Sequence, residues 1–172
     1  MLQTTAARHQ TADKPSLYRE LVLELGGLFE GERNAVANAA NMSALIFERL
    51  PDLNWAGFYF LDPARGGLVV GPFQGRAACV RIAIGKGVCG TAVAERRSII
   101  VPDVDAFPGH IACDAASRSE LVVPLFEGDA ILGVLDLDAP IVARFDEADQ
   151  AGLQAAVALF VRSSDLAAIP RI

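Results

Sequence analysis

Leucines recur early in the chain at helical intervals. Leu17, Leu21, Leu25 and Leu28 are four, four and three residues apart, which places them on one face of a helix. Ser16 stands just ahead of them and is the expected cap. A second helix is predicted from about Arg33 to Leu50, with Val36, Ala40, Ser43, Phe47 and Leu50 along one stripe and Pro51 at its end. The period then changes. Trp55–Leu61 (WAGFYFL) is aromatic and strand-like, and the DPARGG run at 62–67 makes a turn. Leu68–Phe73 and Cys79–Ile84 predict two further strands. A short helix over Val88–Arg97 and a brief strand at Ile99–Val101 follow.

Asp103–Ser117 has no periodicity and reads as a long loop, the kind of segment that often carries a site. Glu120–Phe126 and Ala130–Asp138 predict a hairpin around Glu127-Gly128-Asp129. The last helix begins near Asp146, where Asp146 and Asp149 have capping-box spacing, and Leu153, Ala156, Val157, Phe160 and Val161 form its apolar face. Helices, then strands, then a helix, without repeats, predict an α+β fold: an antiparallel sheet with helices packed against it.

Composition narrows the picture. The chain has 172 residues, 52% of them apolar and 21% charged, enough for one domain with a real core. A net charge of -6 and the absence of any basic, aromatic-interleaved patch argue against nucleic acid. Residues 1–15 lack the apolar core of a signal peptide, and no apolar run has the roughly 18 residues of a membrane span. The expected compartment is a reducing cytoplasm.

Three cysteines, Cys79, Cys89 and Cys113, are the most telling candidates for chemistry. An odd number in a reducing compartment does not suit a structural disulfide set, whereas attacking, resolving and relaying thiols suit a redox cycle. Cys113 lies in a small, polar, loop-like run (GHIACDAAS). Asp136 and Asp138 alternate with Leu135 and Leu137, so both acids share one face of a strand, and Glu120 on the partner strand can approach them. Three carboxyls around a closed pocket would raise at least one pKa and provide a proton donor. Spacing alone favours ordinary solvated strand ends. Trp55 and Tyr59 also share a face, either as a pocket wall or as plain core. His110, three residues before Cys113, is either a modulator of that thiol or structural. Gly85-Lys86-Gly87-Val88-Cys89-Gly90 matches GxGxxG, but the helix after it is too short for a dinucleotide crossover, so a tight turn is expected. No cysteine–histidine spacing resembles a zinc site, and no metal is expected.

The segments NMSALIFERLPDLNWAGFYFL, GPFQGRAACVRIAIGKGVCGTAV, DVDAFPGHIACDAASRSELVVPL and ILGVLDLDAP resemble the free methionine-(R)-sulfoxide reductases, which are stand-alone GAF domains. The resemblance implies an α/β/α sandwich with a central antiparallel sheet of about six strands and helices on both sides. The polar run at 1–15 reads as a tail, and the expected division is that tail, one domain at 16–165, which the resemblance makes a GAF domain, and a second tail at 166–172. The resemblance also implies thiol-dependent reduction of free L-methionine (R)-S-oxide. Cys113 would be the catalytic cysteine, Cys79 the resolving one and Cys89 an auxiliary thiol. Glu120, Asp136 and Asp138 would be the pocket carboxylates, and Trp55 and Tyr59 its aromatic wall. Ala116 and Ser117, in an Ala115–Ser119 stretch expected at a helix start, would hold the substrate carboxylate through backbone N–H groups. No cofactor is implied beyond an external dithiol, with thioredoxin as reductant, and a homodimer is implied. The competing expectation is a GAF module that binds a small ligand or senses redox state, since one fold hosts many functions.

Overall fold

The computed structural model describes residues 13–110, 114–167 and 169. Helix α1 (Lys14–Leu28) is capped by Asp13, whose carboxylate accepts from the Ser16 N–H at 2.8 Å. Ser16 is therefore inside the first turn rather than at the cap. Pro15 beside it is well suited to that turn, where a missing N–H costs no hydrogen bond. Asn34 caps α2 (Ala35–Arg49) by accepting from the Val36 and Ala37 N–H groups. The buried face of α2 is Ala35, Asn38, Ala39, Met42, Ser43 and Ile46, while Val36 is 64% exposed. The expected stripe through Val36 and Ala40 is thus rotated from the true one. In an alanine-rich helix the bulky Met42 and Ile46 decide which side turns inward.

Six strands follow in one antiparallel sheet: β1 (Trp55–Leu61), β2 (Leu68–Gly75), β3 (Arg81–Ile82), β4 (Ile99–Val101), β5 (Ser119–Glu127) and β6 (Ala130–Ala139). Their spatial order is β3-β2-β1-β6-β5-β4. β3 is much shorter than the Cys79–Ile84 run suggested, because Val80 and Ile84 are 62% and 43% exposed and do not join the core. Helix α3 (Gly87–Glu95) and helix α4 (Glu147–Ser163) complete the fold. The glycine-rich run is the tight turn into α3. Gly85 and Gly87 have positive φ, and a Cβ on Gly90 would stand 2.2 Å from the Ala83 carbonyl oxygen.

The sheet has a core on each face. On one side Tyr18, Leu25, Met42, Ile46, Leu153 and Phe160, from α1, α2 and α4, pack on Ala56, Phe58, Leu121, Val123, Leu135 and Leu137. On the other, Val88, Cys89, Ala92 and Val93 of α3 meet Trp55, Tyr59, Val122 and Val134. Each fully buried large apolar side chain contributes about 1.5–3 kcal/mol. The fold is thus α+β, with helices on both faces of one antiparallel sheet, as the resemblance implied. Leu166 and Ile169, beyond α4, also pack into the three-helix core. No described helix is long and apolar enough to cross a membrane.

Candidate active site

β6 lies between β1 and β5, and its side chains alternate between the two cores. Leu135 and Leu137 enter the three-helix core, so Asp136 and Asp138 must face α3. Asp138 pairs across the ladders with Trp55 on one side and Glu120 on the other; Asp136 pairs with Gly57 and Val122. Directly opposed residues have Cβ atoms about 5 Å apart, so the ladder alone makes Trp55, Asp138 and Glu120 a contiguous row.

These residues line one small cavity of about 30 Å³, together with Tyr59, Arg76, Cys89, His110 and Ser117. Trp55 is its aromatic anchor. Its ring stacks on Tyr59 at 5.7 Å and on Phe73 at 5.2 Å between centroids. Both polar handles of this wall bind the chain between β2 and β3. Trp55 Nε1 donates to the Arg76 carbonyl at 3.1 Å, and the Tyr59 hydroxyl donates to the Cys79 carbonyl at 3.0 Å. The backbone at Cys79, next to the lining residue Ala78, is therefore tied to the aromatic wall.

Glu120 and Asp136 are each only 6% exposed. Burial pushes the carboxyl groups of Glu120, Asp136 and Asp138 well above the usual carboxylate range, and their mutual repulsion adds to it. Asp136 Oδ1 is buried with no hydrogen-bond partner among the described residues. A buried acceptor of this kind suits an incoming donor such as an ammonium group. Cys89 Sγ and one carboxylate oxygen each from Glu120 and Asp136 lie within 4.8 Å of one another, a set that can hold a cation.

Cys89 is 2% exposed, and burial next to Asp136 and Glu120 keeps its thiol protonated. A buried, protonated thiol is a hydrogen-bond donor to the carboxyl cluster rather than a nucleophile for exchange with another protein. His110 Nε2 is 3.4 Å from Glu120 Oε2, and burial lowers the histidine's pKa. The described contact of His110 is thus with the carboxyl cluster. Cys113 falls outside the described residues.

The Ala115–Ser119 stretch is not a helix start. Asp114 closes a turn there, accepting from the Ala116 N–H at 2.9 Å through its side chain and from the Ser117 N–H at 3.2 Å through its carbonyl. The Arg118 N–H donates to Ala139. The N–H groups of 116, 117 and 118 are already taken, and Ala116 is exposed. Ser117 does reach the cavity, through its side chain. Two further residues escaped the sequence reading. Arg76 brings a cationic side chain to the cavity wall, and its Nη1 lies 3.7 Å from Asp114 Oδ1. Asn54 donates from Nδ2 to Ser117 Oγ at 3.0 Å and to Asp114 Oδ2 at 3.3 Å. An asparagine before a strand is a common turn residue, and nothing in its neighbours signals this bridge.

Known proteins are similar to this chain in sequence and in fold. The sequence pattern of the GAF domain matches residues 37–161. The free methionine-R-sulfoxide reductase of Escherichia coli (strain K12) is 51% identical over 146 residues, covering 85% of this chain and 87% of that protein. The free methionine-R-sulfoxide reductase from Neisseria meningitidis, solved with its substrate, superposes with a TM-score of 0.85 at 42% identity, covering 95% of this chain and 94% of that one. The fRMsr of Staphylococcus aureus in complex with substrate gives a TM-score of 0.80 at 51% identity, covering 85% and 94%. Sequence and structure together show that this chain belongs to the GAF domain family and, within it, to the free methionine-R-sulfoxide reductases.

Proposed function

We propose that this protein reduces free L-methionine (R)-S-oxide to L-methionine, with thiols as the source of electrons. The observation that carries this reading is the buried row of Glu120, Asp136 and Asp138 under the Trp55 ring, in a chain whose relatives are named for this activity. A sulfoxide oxygen is a poor leaving group. A carboxyl group kept protonated by burial donates a proton to it and draws the S–O bond toward a sulfonium-like centre. The π face of Trp55 tolerates that positive charge on sulfur and receives the S-methyl group. A carboxylate of the cluster pairs with the substrate ammonium, and Arg76 supplies positive charge for the α-carboxylate.

The Cys113 thiolate attacks the activated sulfur. An S–S bond forms as the protonated oxygen leaves as water; water then adds to the Cys113 sulfur, the S–S bond breaks, methionine leaves with the electron pair, and a proton is released as Cys113 becomes a sulfenic acid. The Cys79 thiol condenses with it, forming a disulfide and releasing water. Exchange with an external dithiol, thioredoxin in this proposal, returns both thiols. Cys89, buried and protonated, stays out of that exchange and donates to the carboxyl cluster. We propose that the enzyme works in the cytoplasm as a homodimer.

A turnover assay with racemic free methionine sulfoxide and excess dithiothreitol, followed by chiral separation, tests this function. Loss of only the R form, without action on a peptide-bound sulfoxide, is the expected result. No loss of either form overturns it and leaves a ligand-binding or redox-sensing GAF module.

A further inference from the structure

Cys89 is the thiol that the reaction leaves aside, yet its sulfur stands among the acids of the cavity. It is the third residue of α3 and is 2% exposed. Glu120 and Asp136 are diagonal neighbours on one face of the β5–β6 ladder, because Glu120 pairs with Asp138 and Asp136 with Val122. Three elements thus deliver one ligand atom each, a sulfur and two carboxylate oxygens, all within 4.8 Å of one another. All three residues are more than nine-tenths buried.

A second observation points to a ligand. Asp136 lines the cavity, and its Oδ1 is buried without a hydrogen-bond partner among the described residues. Such an acceptor is costly until something enters to satisfy it. The cavity of about 30 Å³ has the room of a single water molecule. An ion fits that space as it stands, whereas an amino acid needs the walls to part.

The donor set decides which ion. Bonds of about 2.3 Å to sulfur and about 2.0–2.2 Å to oxygen suit a borderline-soft divalent cation in a tetrahedral shell. Closing the three side chains onto such bonds takes movements of about 1 Å or less. Magnesium and calcium ask for shells of oxygen alone and are disfavoured by the thiol. His110 Nε2, 3.4 Å from Glu120 Oε2, is placed to orient that carboxylate, as partners behind metal ligands do.

We propose that Cys89, Glu120 and Asp136 form a binding site for a soft divalent cation of the zinc type, and that the ion shuts the reductase off by taking the place of the substrate. As the ion binds, the Cys89 S–H bond breaks, a metal–sulfur bond forms, and the proton passes to solvent. Protons held by the two ligating carboxyls leave in the same way, and nothing is oxidised or reduced. The ion then withdraws both carboxyls from protonating the sulfoxide and pairing with the ammonium. The inhibition rests on the reductase reading, but the site does not.

The test uses the full chain with Cys79→Ser and Cys113→Ser, which leaves Cys89 as its only thiol. Cd²⁺ alone is titrated in, and the sulfur-to-cadmium charge-transfer absorption is followed. It saturates at one ion per chain, yields to Zn²⁺ and is indifferent to excess Mg²⁺. Adding Asp136→Asn or Glu120→Gln weakens Cd²⁺ binding about tenfold or more. Glu120→Gln keeps the test open if Asp136→Asn fails to fold. Free methionine sulfoxide, which this chain binds without reducing, raises the apparent Kd for Cd²⁺ in proportion to its concentration. Absorption that never develops, or that develops with unchanged affinity in the carboxyl variants, overturns the site. Cadmium binding indifferent to a sulfoxide that metal-free wild-type protein turns over overturns the inhibition. Wild-type protein that leaves the sulfoxide intact overturns the proposed function instead, and the cadmium absorption does not depend on it.

Discussion

Glu120 and Asp138 face each other across the β5–β6 ladder, two carboxyl groups in register on one buried face. Their pKa values, and that of Asp136, are raised chiefly by burial. The folded state therefore binds more protons than the unfolded chain between the ordinary carboxylate range and the raised values. In that window stability falls as pH rises. Folding is most favoured where the unfolded carboxyls are also protonated, and the contribution is lost as pH climbs through the folded-state values. Urea unfolding from about pH 4.5 to pH 8 should show this decline. Asp136→Asn, which cannot ionise, should flatten it and be more stable than wild type at the upper end. A slope unchanged in Asp136→Asn would show that Asp136 ionises normally.

Cys89 is buried, whereas Cys79 is half-buried, and the proposed cycle gives each cysteine a different fate on substitution. Cys113→Ser should abolish turnover. Cys79→Ser should complete one turnover and stall, seen as a single equivalent of methionine per protein. Cys89→Ser keeps a donor beside Asp136 and should sustain cycling with thioredoxin. Steady cycling in Cys79→Ser combined with stalling in Cys89→Ser would give the resolving role to Cys89, and would require α3 to open far enough to expose it.

Gly57 separates Trp55 from Tyr59 along β1. A Cβ there would stand 2.3 Å from Phe73 Cβ and 2.7 Å from Phe73 Cα. Gly57→Ala must push β2 away and disturb the stacking of Phe73 on Trp55. A cost of about 1–3 kcal/mol is expected from overpacking. Trp55 is the only tryptophan, so its fluorescence reports on this wall alone. The emission should shift to the red in Gly57→Ala, and KM should rise more than kcat falls. An unshifted spectrum with normal KM would mean that β2 yields without moving the ring.

Asp149 is fully buried and joins α1 to α4. It accepts from the Tyr18 hydroxyl at 2.8 Å, from Arg144 Nη1 at 3.2 Å and from Lys14. Asp149→Ala leaves the buried Arg144 guanidinium without its counter-charge, which costs about 3–5 kcal/mol. Denaturant unfolding should show a loss of that size. The fraction that remains folded should keep a normal KM, because this cluster lies on the face of the sheet away from the cavity.

What the sequence made legible follows from how strongly each segment contrasts its two faces. The β6 run ILGVLDLD alternates leucine with aspartate, so both its strand character and the shared face of Asp136 and Asp138 could be read directly. The capping box at Asp146 and Asp149 was equally plain. α2 was harder, since alanines are nearly neutral and a helix can rotate past them at little cost. At the first helix Ser16 is as good a cap by type as Asp13, and only the hydrogen bond from the Ser16 N–H to Asp13 separates them. Asn54 was invisible for a different reason. Its partners, Asp114 and Ser117, are 60 and 63 residues away, and only the return of the chain along β6 brings them together.

The alternation in β6 has a further consequence. Leucines 135 and 137 hold one core while aspartates 136 and 138 furnish the opposite cavity, so one ribbon is scaffold on its front and reagent on its back. A single inserted residue before Leu135 would exchange the two sides, sending acids into the hydrocarbon and leucines into the cavity. For this strand a one-residue change of length strikes the chemistry and the core together. Substitution can alter the acids one at a time, but insertion or deletion of a single residue is closed to it, and this stretch should vary across descendants of the sequence by exchange of residues far more than by their number.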